Sequence, residues 1–198
     1  MNTSGWPLRI VAGLGNPGPE HLVTRHNSGF WFVDLLARRH GGEFRDYRKF
    51  SGETARITVS GRELILLKPT TYMNRSGLSI RQLSDFFKVA PEHILVAHDE
   101  LDLSVGVVKL KHGGGHGGHN GLRDTITHVG ENFWRLRIGI GHPGNKTDVL
   151  DYVLNRAPRI EEDMILESVN SAADCLPLML EQGAERAMTK LHSRAGKA

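Results

Sequence analysis

The chain has a single cysteine, Cys175, among 198 residues, so an intrachain disulfide is excluded and a reducing compartment, the cytoplasm, is the expected setting. No apolar run approaches the roughly 20 residues that cross a bilayer, so no membrane partner is expected. Residues 1–12 carry no cationic region followed by a long apolar core, so no secretory signal is expected either. There is no G-x-S-x-G elbow, and Cys175 falls in a helical pattern as a small buried hydrophobe, which disfavours a nucleophilic enzyme. A zinc centre lacks its usual H-E-x-x-H or cysteine pattern. His112, His116 and His119 are the sharpest histidine set, but the glycines between them disfavour the helix their spacing needs, so no metal is expected. Aromatic residues make up only 7% and do not interleave with the basic ones, which disfavours a stacking platform for long single strands. The net charge of +3 permits an anionic partner without requiring one.

What is present reads as one α/β domain over residues 1–198, with a mixed, partly parallel twisted sheet flanked by helices. Residues 1–7 look like a loose leader and residues from about 190 to 198 like a frayed basic tail. Strands are expected at Leu8–Ala12, Ile94–His98, Val105–Leu110 and Leu136–Ile140. A hairpin joins Thr54–Val59 to Glu63–Leu67 through Ser60-Gly61-Arg62. Helices are expected over about Phe30–Arg39, Ser79–Lys88 with Ser76 as cap, Leu122–His128, Val149–Leu154 and Pro158–Glu181.

The loop Gly13–Gly29, between the first strand and the first helix, concentrates Asn16, Arg25, His26 and Asn27 on a backbone constrained by glycine and proline. Its Gly13–Gly18 segment fits G-x-G-x-x-G, with Asp34 about twenty residues on. A dinucleotide site, however, needs a helix that begins within the glycines and offers free N–H groups to a pyrophosphate. Pro17 and Pro19 each remove a donor, and the helix begins only near Ser28, its expected cap, so no nucleotide cofactor is expected.

The other polar residues also fall just past strand ends: Asn74 after the hairpin, Asp99 after Ile94–His98, Asn120 after the Val105 strand, and His142 after the Leu136 strand. If several of these ends share one rim, a histidine, an aspartate and three asparagines face one cleft. Histidine can take a proton from water near neutrality, and a carboxylate on its other nitrogen orients it. Asparagine amides can hold a carbonyl as oxyanion charge develops. Taken singly, each asparagine is explained as a partner for loop backbone; taken jointly, they point to a hydrolytic site. Between Leu103 and Lys146 there are six Lys/Arg against two acids. Lys109 and Lys111 share one strand face, as do Arg135 and Arg137, a pattern suited equally to phosphates and to an ordinary solvated face.

Six blocks in order, GLGNPG (13–18), TRHNSGF (24–30), KPTTYMNRSG (68–77), HDELDL (98–103), GGGHGGHNGL (113–122) and RLRIGIGHP (135–143), make the chain resemble the bacterial-type peptidyl-tRNA hydrolases. The resemblance implies hydrolysis of the ester joining a peptide to the 3′-terminal ribose of tRNA, without metal or cofactor, by a protein expected to be a monomer. It implies His26 as general base, Asp99 as the acid that orients it, and Asn16 as a residue that tells peptidyl from free aminoacyl ends. It places Tyr72, Met73, Asn74 and Asn120 along the peptide and 3′-end cleft, and Lys109, Lys111, Arg135, Arg137 and Lys146 against tRNA phosphates. His21 stands where the family usually has tyrosine, so its substrate contact is expected to retune positioning without abolishing hydrolysis. A non-catalytic RNA-binding module and a nucleotide-cofactor oxidoreductase are the competing readings, and neither explains all six blocks.

Overall fold

The computed structural model describes residues 5–194. In chain order the elements are β1 (Ile10–Gly13), α1 (Ser28–His40), β2 (Arg45–Tyr47), β3 (Gly52–Val59), β4 (Arg62–Pro69), α2 (Ser76–Phe87) and β5 (Ile94–Glu100). They continue with β6 (Val108–His112), α3 (Asn120–Val129), β7 (Trp134–Gly139), α4 (Val149–Leu154), α5 (Arg159–Gln182) and α6 (Ala184–Arg194). The seven strands form one sheet in the order β2-β3-β4-β1-β5-β7-β6. The middle four, β4, β1, β5 and β7, run parallel, while β2 and β3 at one edge and β6 at the other pair antiparallel. The mixed α/β sheet expected from the alternating pattern is therefore the sheet that forms.

Alternation of side chains gives the sheet two buried faces. On one, Val11, Leu95, Ala97, Leu136 and Ile138 pack with Phe32 and Leu36 of α1 and with Leu176 and Met179 of α5. On the other, Ile10, Ala12, Leu67 and Val96 pack with Ile80 and Leu83 of α2 and Leu122 of α3. Fully burying a side chain such as Phe32 or Leu83 contributes about 1.5–3 kcal/mol, so these two layers fix the helices against the strands. The parallel strands all end on one side, at Gly13, Pro69, Glu100 and Gly139, and that side is the rim that collects the polar loops.

Several local expectations need correction. Trp6 is buried, packs at a tilt against Trp134 with 4.9 Å between ring centroids, and donates to the Glu92 carbonyl, so packing begins within the expected loose leader. Residues 1–4 of that leader and 195–198 of the tail lie outside the described residues. The tail is helical as far as Arg194, because Leu191 is buried and His192 accepts from the Leu110 N–H. Ser28 and Ser76 are the first residues of their helices rather than caps, and the Ser76 hydroxyl donates back to the Met73 carbonyl. β2 has three exposed residues with no alternation of burial to announce them. The Val105 strand begins only at Val108, since Gly106 turns the chain at a φ of 80°. The hairpin does close through Ser60 and Gly61, both at positive φ (49° and 73°). That turn lies at the end of the sheet opposite the rim, because β4 starts there and runs parallel to β1.

Candidate active site

The Gly13–Gly29 loop is pinned at both ends by close backbone approach. A Cβ on Gly13 would lie 2.3 Å from the Gly29 carbonyl oxygen, and one on Gly29 would lie 2.3 Å from that of Ala97. This presses the start of α1 onto β1 and β5. Within the loop, Asn27 is 1% exposed; its Oδ1 accepts from the Asn16 N–H at 2.8 Å and its Nδ2 donates to the Asn16 carbonyl at 2.9 Å. The Met73 N–H donates to Asn16 Oδ1 at 2.8 Å, which fixes the oxygen of that amide and leaves Asn16 Nδ2 as its available donor. The acid that would bind a ribose in a dinucleotide site has no counterpart: Asp34 sits inside α1 and pairs with Lys68 at 2.9 Å, and the helix starts well past the glycines.

His26 follows on a single 3-10 turn, Arg25–Asn27, held in place by its neighbour. Arg25 is buried and donates to the carbonyls of Tyr152, Asn155 and Arg156 and to Glu161, tying the loop to α4 and the start of α5. His26 Nδ1 lies 2.9 and 3.0 Å from the two Asp99 carboxylate oxygens. His119 Nε2 lies 2.9 Å from Asp99 Oδ1. Because the Leu122 N–H points at His119 Nδ1, the His119 proton sits on Nε2 and is donated to Asp99. With Nδ1 of His26 also donating to Asp99, Nε2 of His26 is the bare nitrogen, the one a general base uses.

The electrostatics follow from burial and this pairing. Burial opposes a charge on His26, yet the attraction and hydrogen bond of Asp99 outweigh it and hold its pKa above the ordinary imidazole value. Burial would raise Asp99, but His26 and His119 together hold it well below the usual carboxylate range. His98 is the contrasting case: burial, with His119 beside it, pushes its pKa down to about 3. Its Nδ1 donates to the Asp99 carbonyl at 2.7 Å, and its buried Nε2 has no partner among the described residues. His26, Asp99 and His119 are also close enough to serve as three metal ligands. One nitrogen of each histidine already hydrogen-bonds the carboxylate, so the three form a hydrogen-bonded relay as they stand.

His26 and Asp99 line a cleft of about 260 Å³ together with His119, Asn120, Lys146 and Leu150. Tyr72 and Asn74 are exposed on the turn that carries Met73, while Met73 itself is buried. His21 is half-buried, with Nε2 3.6 Å from Glu20, and is not among the cleft-lining residues. The other four cationic residues lie on β6 and β7, where Lys109 pairs with Arg137 and Lys111 with Arg135 across the strands. Arg137 also reaches Glu100 at 2.8 Å. Arg135 is only 3% exposed and turned inward, donating to the carbonyls of Gly114 and Gly115.

The family model described as Peptidyl-tRNA hydrolase matches residues 10–198. The chain belongs to the peptidyl-tRNA hydrolase family. It is 50% identical over 189 residues to the peptidyl-tRNA hydrolase of Vibrio campbellii, covering 94% of this chain and 96% of that one. It is 48% identical to that of Serratia proteamaculans, over 96% of this chain and 98% of the other. The crystal structure of the peptidyl-tRNA hydrolase from Acinetobacter baumannii superposes with a TM-score of 0.92 at 48% identity, covering 94% of this chain and 95% of that one. Within this peptidyl-tRNA hydrolase fold, the residues that sequence reasoning leaves out of the site are Asn27 and His119. Asn27 is legible in the sequence as a polar loop residue. His119 suggests itself there only as a metal ligand, although its place directly before the α3 pattern is the signal that it caps a helix.

Proposed function

We propose that the chain hydrolyses the ester between a peptide, or an N-blocked aminoacyl group, and the 3′-terminal ribose of tRNA, with His26 as general base. The observation that carries this reading is the His26 Nδ1–Asp99 pair, which leaves Nε2 of a raised-pKa imidazole at a cleft. Water attacks the ester carbonyl carbon as its proton passes to His26 Nε2. The C–O3′ bond then breaks, and the ribose 3′ oxygen takes the proton from the imidazolium. The products are the free peptide acid and tRNA with a 3′ hydroxyl. Asp99 holds the ring and stabilises its charged form. The free amide donor of Asn16, with Asn74 and Asn120 on the rim, holds the substrate carbonyls, while Tyr72, Met73 and His21 shape the surroundings of the peptide. Lys109, Lys111, Arg137 and Lys146 receive phosphates of the tRNA. The reaction proceeds without a metal, in the cytoplasm, on a monomer.

The test is single-turnover hydrolysis of N-acetyl-aminoacyl-tRNA in EDTA, by wild type and His26→Ala, with unblocked aminoacyl-tRNA as control. The reading expects chelator-resistant cleavage of the blocked substrate, slowed about 10²-fold or more by the substitution. Cleavage abolished by EDTA would sink the metal-free route, and cleavage unaffected by His26→Ala would sink the assignment of the base.

A further inference from the structure

β6 runs antiparallel to β7 and ends at His112, opposite Trp134, on the side of the sheet away from the rim. The expectation that Asn120 follows a strand ending at the cleft is therefore corrected. The chain has to come back to deliver His119 and Asn120, and it does so through Gly113–Gly118. Asp99 pairs with Ile138, four residues beyond Trp134 on β7, so the return climbs roughly 13 Å at about 3.3 Å per residue. The ends of the loop are tied, by the Gly113 N–H to the Phe133 carbonyl and by the Gly118 and His119 N–H groups to His116, while its glycines leave open space around it. Gly113, Gly114, Gly117 and Gly118 all sit at positive φ, and a Cβ on Gly115, Gly117 or Gly118 would meet nothing within 4 Å.

One side chain from the sheet grips this loop. The Arg135 guanidinium donates from Nη1 to the Gly115 carbonyl and from Nη2 to the Gly114 carbonyl, and its Nε is buried without a partner among the described residues. Its neighbours in the cationic patch are placed differently: Lys111, directly opposite on β6, is exposed, and Arg137 is half-buried against Glu100. With one N–H of each terminal nitrogen committed to backbone, Nε buried and the whole residue only 3% exposed, this guanidinium offers little surface to a phosphate. What it does hold is the segment whose far end is the His119–Asp99 hydrogen bond.

We propose that Arg135 is a positioning residue for the hydrolysis, fixing the near part of the glycine loop whose far end brings His119 to Asp99, and is not a phosphate contact. The inference rests on hydrolysis by His26, and the tests keep the two apart. Arg135→Lys and Arg135→Met are compared with wild type on N-acetyl-aminoacyl-tRNA and on N-acetyl-aminoacyl-adenosine, which carries no phosphates for the cationic edge. The expected result is a kcat lowered about tenfold or more, equally on both substrates, with KM for the tRNA within about twofold. In a His119→Ala background Arg135→Lys is expected to cost nothing further, since the route it acts through is gone. A rise in KM for the tRNA alone, with a shallower salt dependence and an unchanged fragment, would make Arg135 a phosphate contact and overturn the proposal. Unchanged kcat in folded Arg135→Lys, or fully additive losses in the double variant, would overturn it as well.

Wild-type protein supplies an arm that does not depend on a variant folding. The Arg135 Nε–H resonance should be protected from solvent exchange and unmoved by added deacylated tRNA, whereas fast exchange or a large shift on tRNA addition counts against the proposal. A wild type that leaves both substrates intact would fail the hydrolytic reading before any Arg135 variant is compared, and the resonance would still report on the loop.

Discussion

The Asn27 amide and the Asn16 backbone hold each other through two reciprocal hydrogen bonds, the Asn16 N–H donating at 2.8 Å and Asn27 Nδ2 donating at 2.9 Å. Asn16 has its own amide oxygen on the Met73 N–H, so the pair links the first loop to the turn after β4. Asn27→Ala is expected to leave the Asn16 N–H and carbonyl buried and unpaired, destabilising the fold by about 1–3 kcal/mol. Activity should fall along with stability, because the Asn16 donor loses its aim. Urea midpoints and single-turnover rates on blocked aminoacyl-tRNA check both, and a folded Asn27→Ala protein with full activity would contradict the link.

The acid limb of kcat/KM should lie above the ordinary histidine value of about 6.5, because Asp99 raises the His26 pKa and the base must be neutral to work. Asp99→Asn removes that attraction and leaves burial, so the limb should move to lower pH while kcat falls about 10²-fold or more. The pH–rate profile of the two proteins reads both changes. The linked stability has its own sign. A raised His26 pKa contributes stability that is complete below about 6.5 and is lost as pH rises through the folded value.

His98 works in the opposite direction. Its folded pKa of about 3 lies below the unfolded value, so between about 6.5 and 3 the unfolded chain binds a proton that the folded chain refuses. Folding stability should therefore fall steadily as pH drops across that window. His98→Asn keeps a short donor near the Asp99 carbonyl and has nothing to titrate, so the slope of unfolding free energy against pH should flatten. Chemical denaturation at several pH values tests this, and an unchanged slope would assign the acid sensitivity elsewhere.

Arg25→Met should loosen the join between the loop that carries His26 and α4. It removes donors from the carbonyls of Tyr152, Asn155 and Arg156, at 3.1, 3.4 and 3.3 Å, and leaves Glu161 without its partner. The expected cost is about 2–3 kcal/mol in a urea titration, since several acceptors lose a charged donor together. Faster amide exchange over 149–156 than over α2 would locate the loss.

Much of the candidate site's geometry was legible because its polar residues lie next to punctuation in the sequence. His26 sits in a loop of glycines and prolines, and Asp99 stops an apolar strand, so strand ends alone brought both to one rim. What could not be read was direction and cover. β6 differs from a parallel strand only by its partner, and nothing local to Val108–His112 shows that it runs away from the cleft. Alternation places Arg135 and Arg137 on one face, but whether that face meets solvent or a glycine loop is decided by residues about twenty positions away in sequence. His119 was hidden by the same loop, since its role depends on a tertiary partner, Asp99, rather than on spacing. β2 went unseen because three exposed edge residues carry no periodic signal.

The Ser60–Gly61 turn offers a handle on the molecule. It lies at the opposite end of β3 and β4 from the rim of the cleft, and Ser60, exposed there, already carries a side chain at its positive φ of 49° and is the residue to replace. A cysteine placed there for a dye, or a short linker for immobilisation, would carry its cargo a whole strand length from the imidazole. An enzyme attached through this turn would face the bulk with its cleft open, whereas attachment near Asn74 or Lys146 would set the cargo where the proposed function brings in the tRNA.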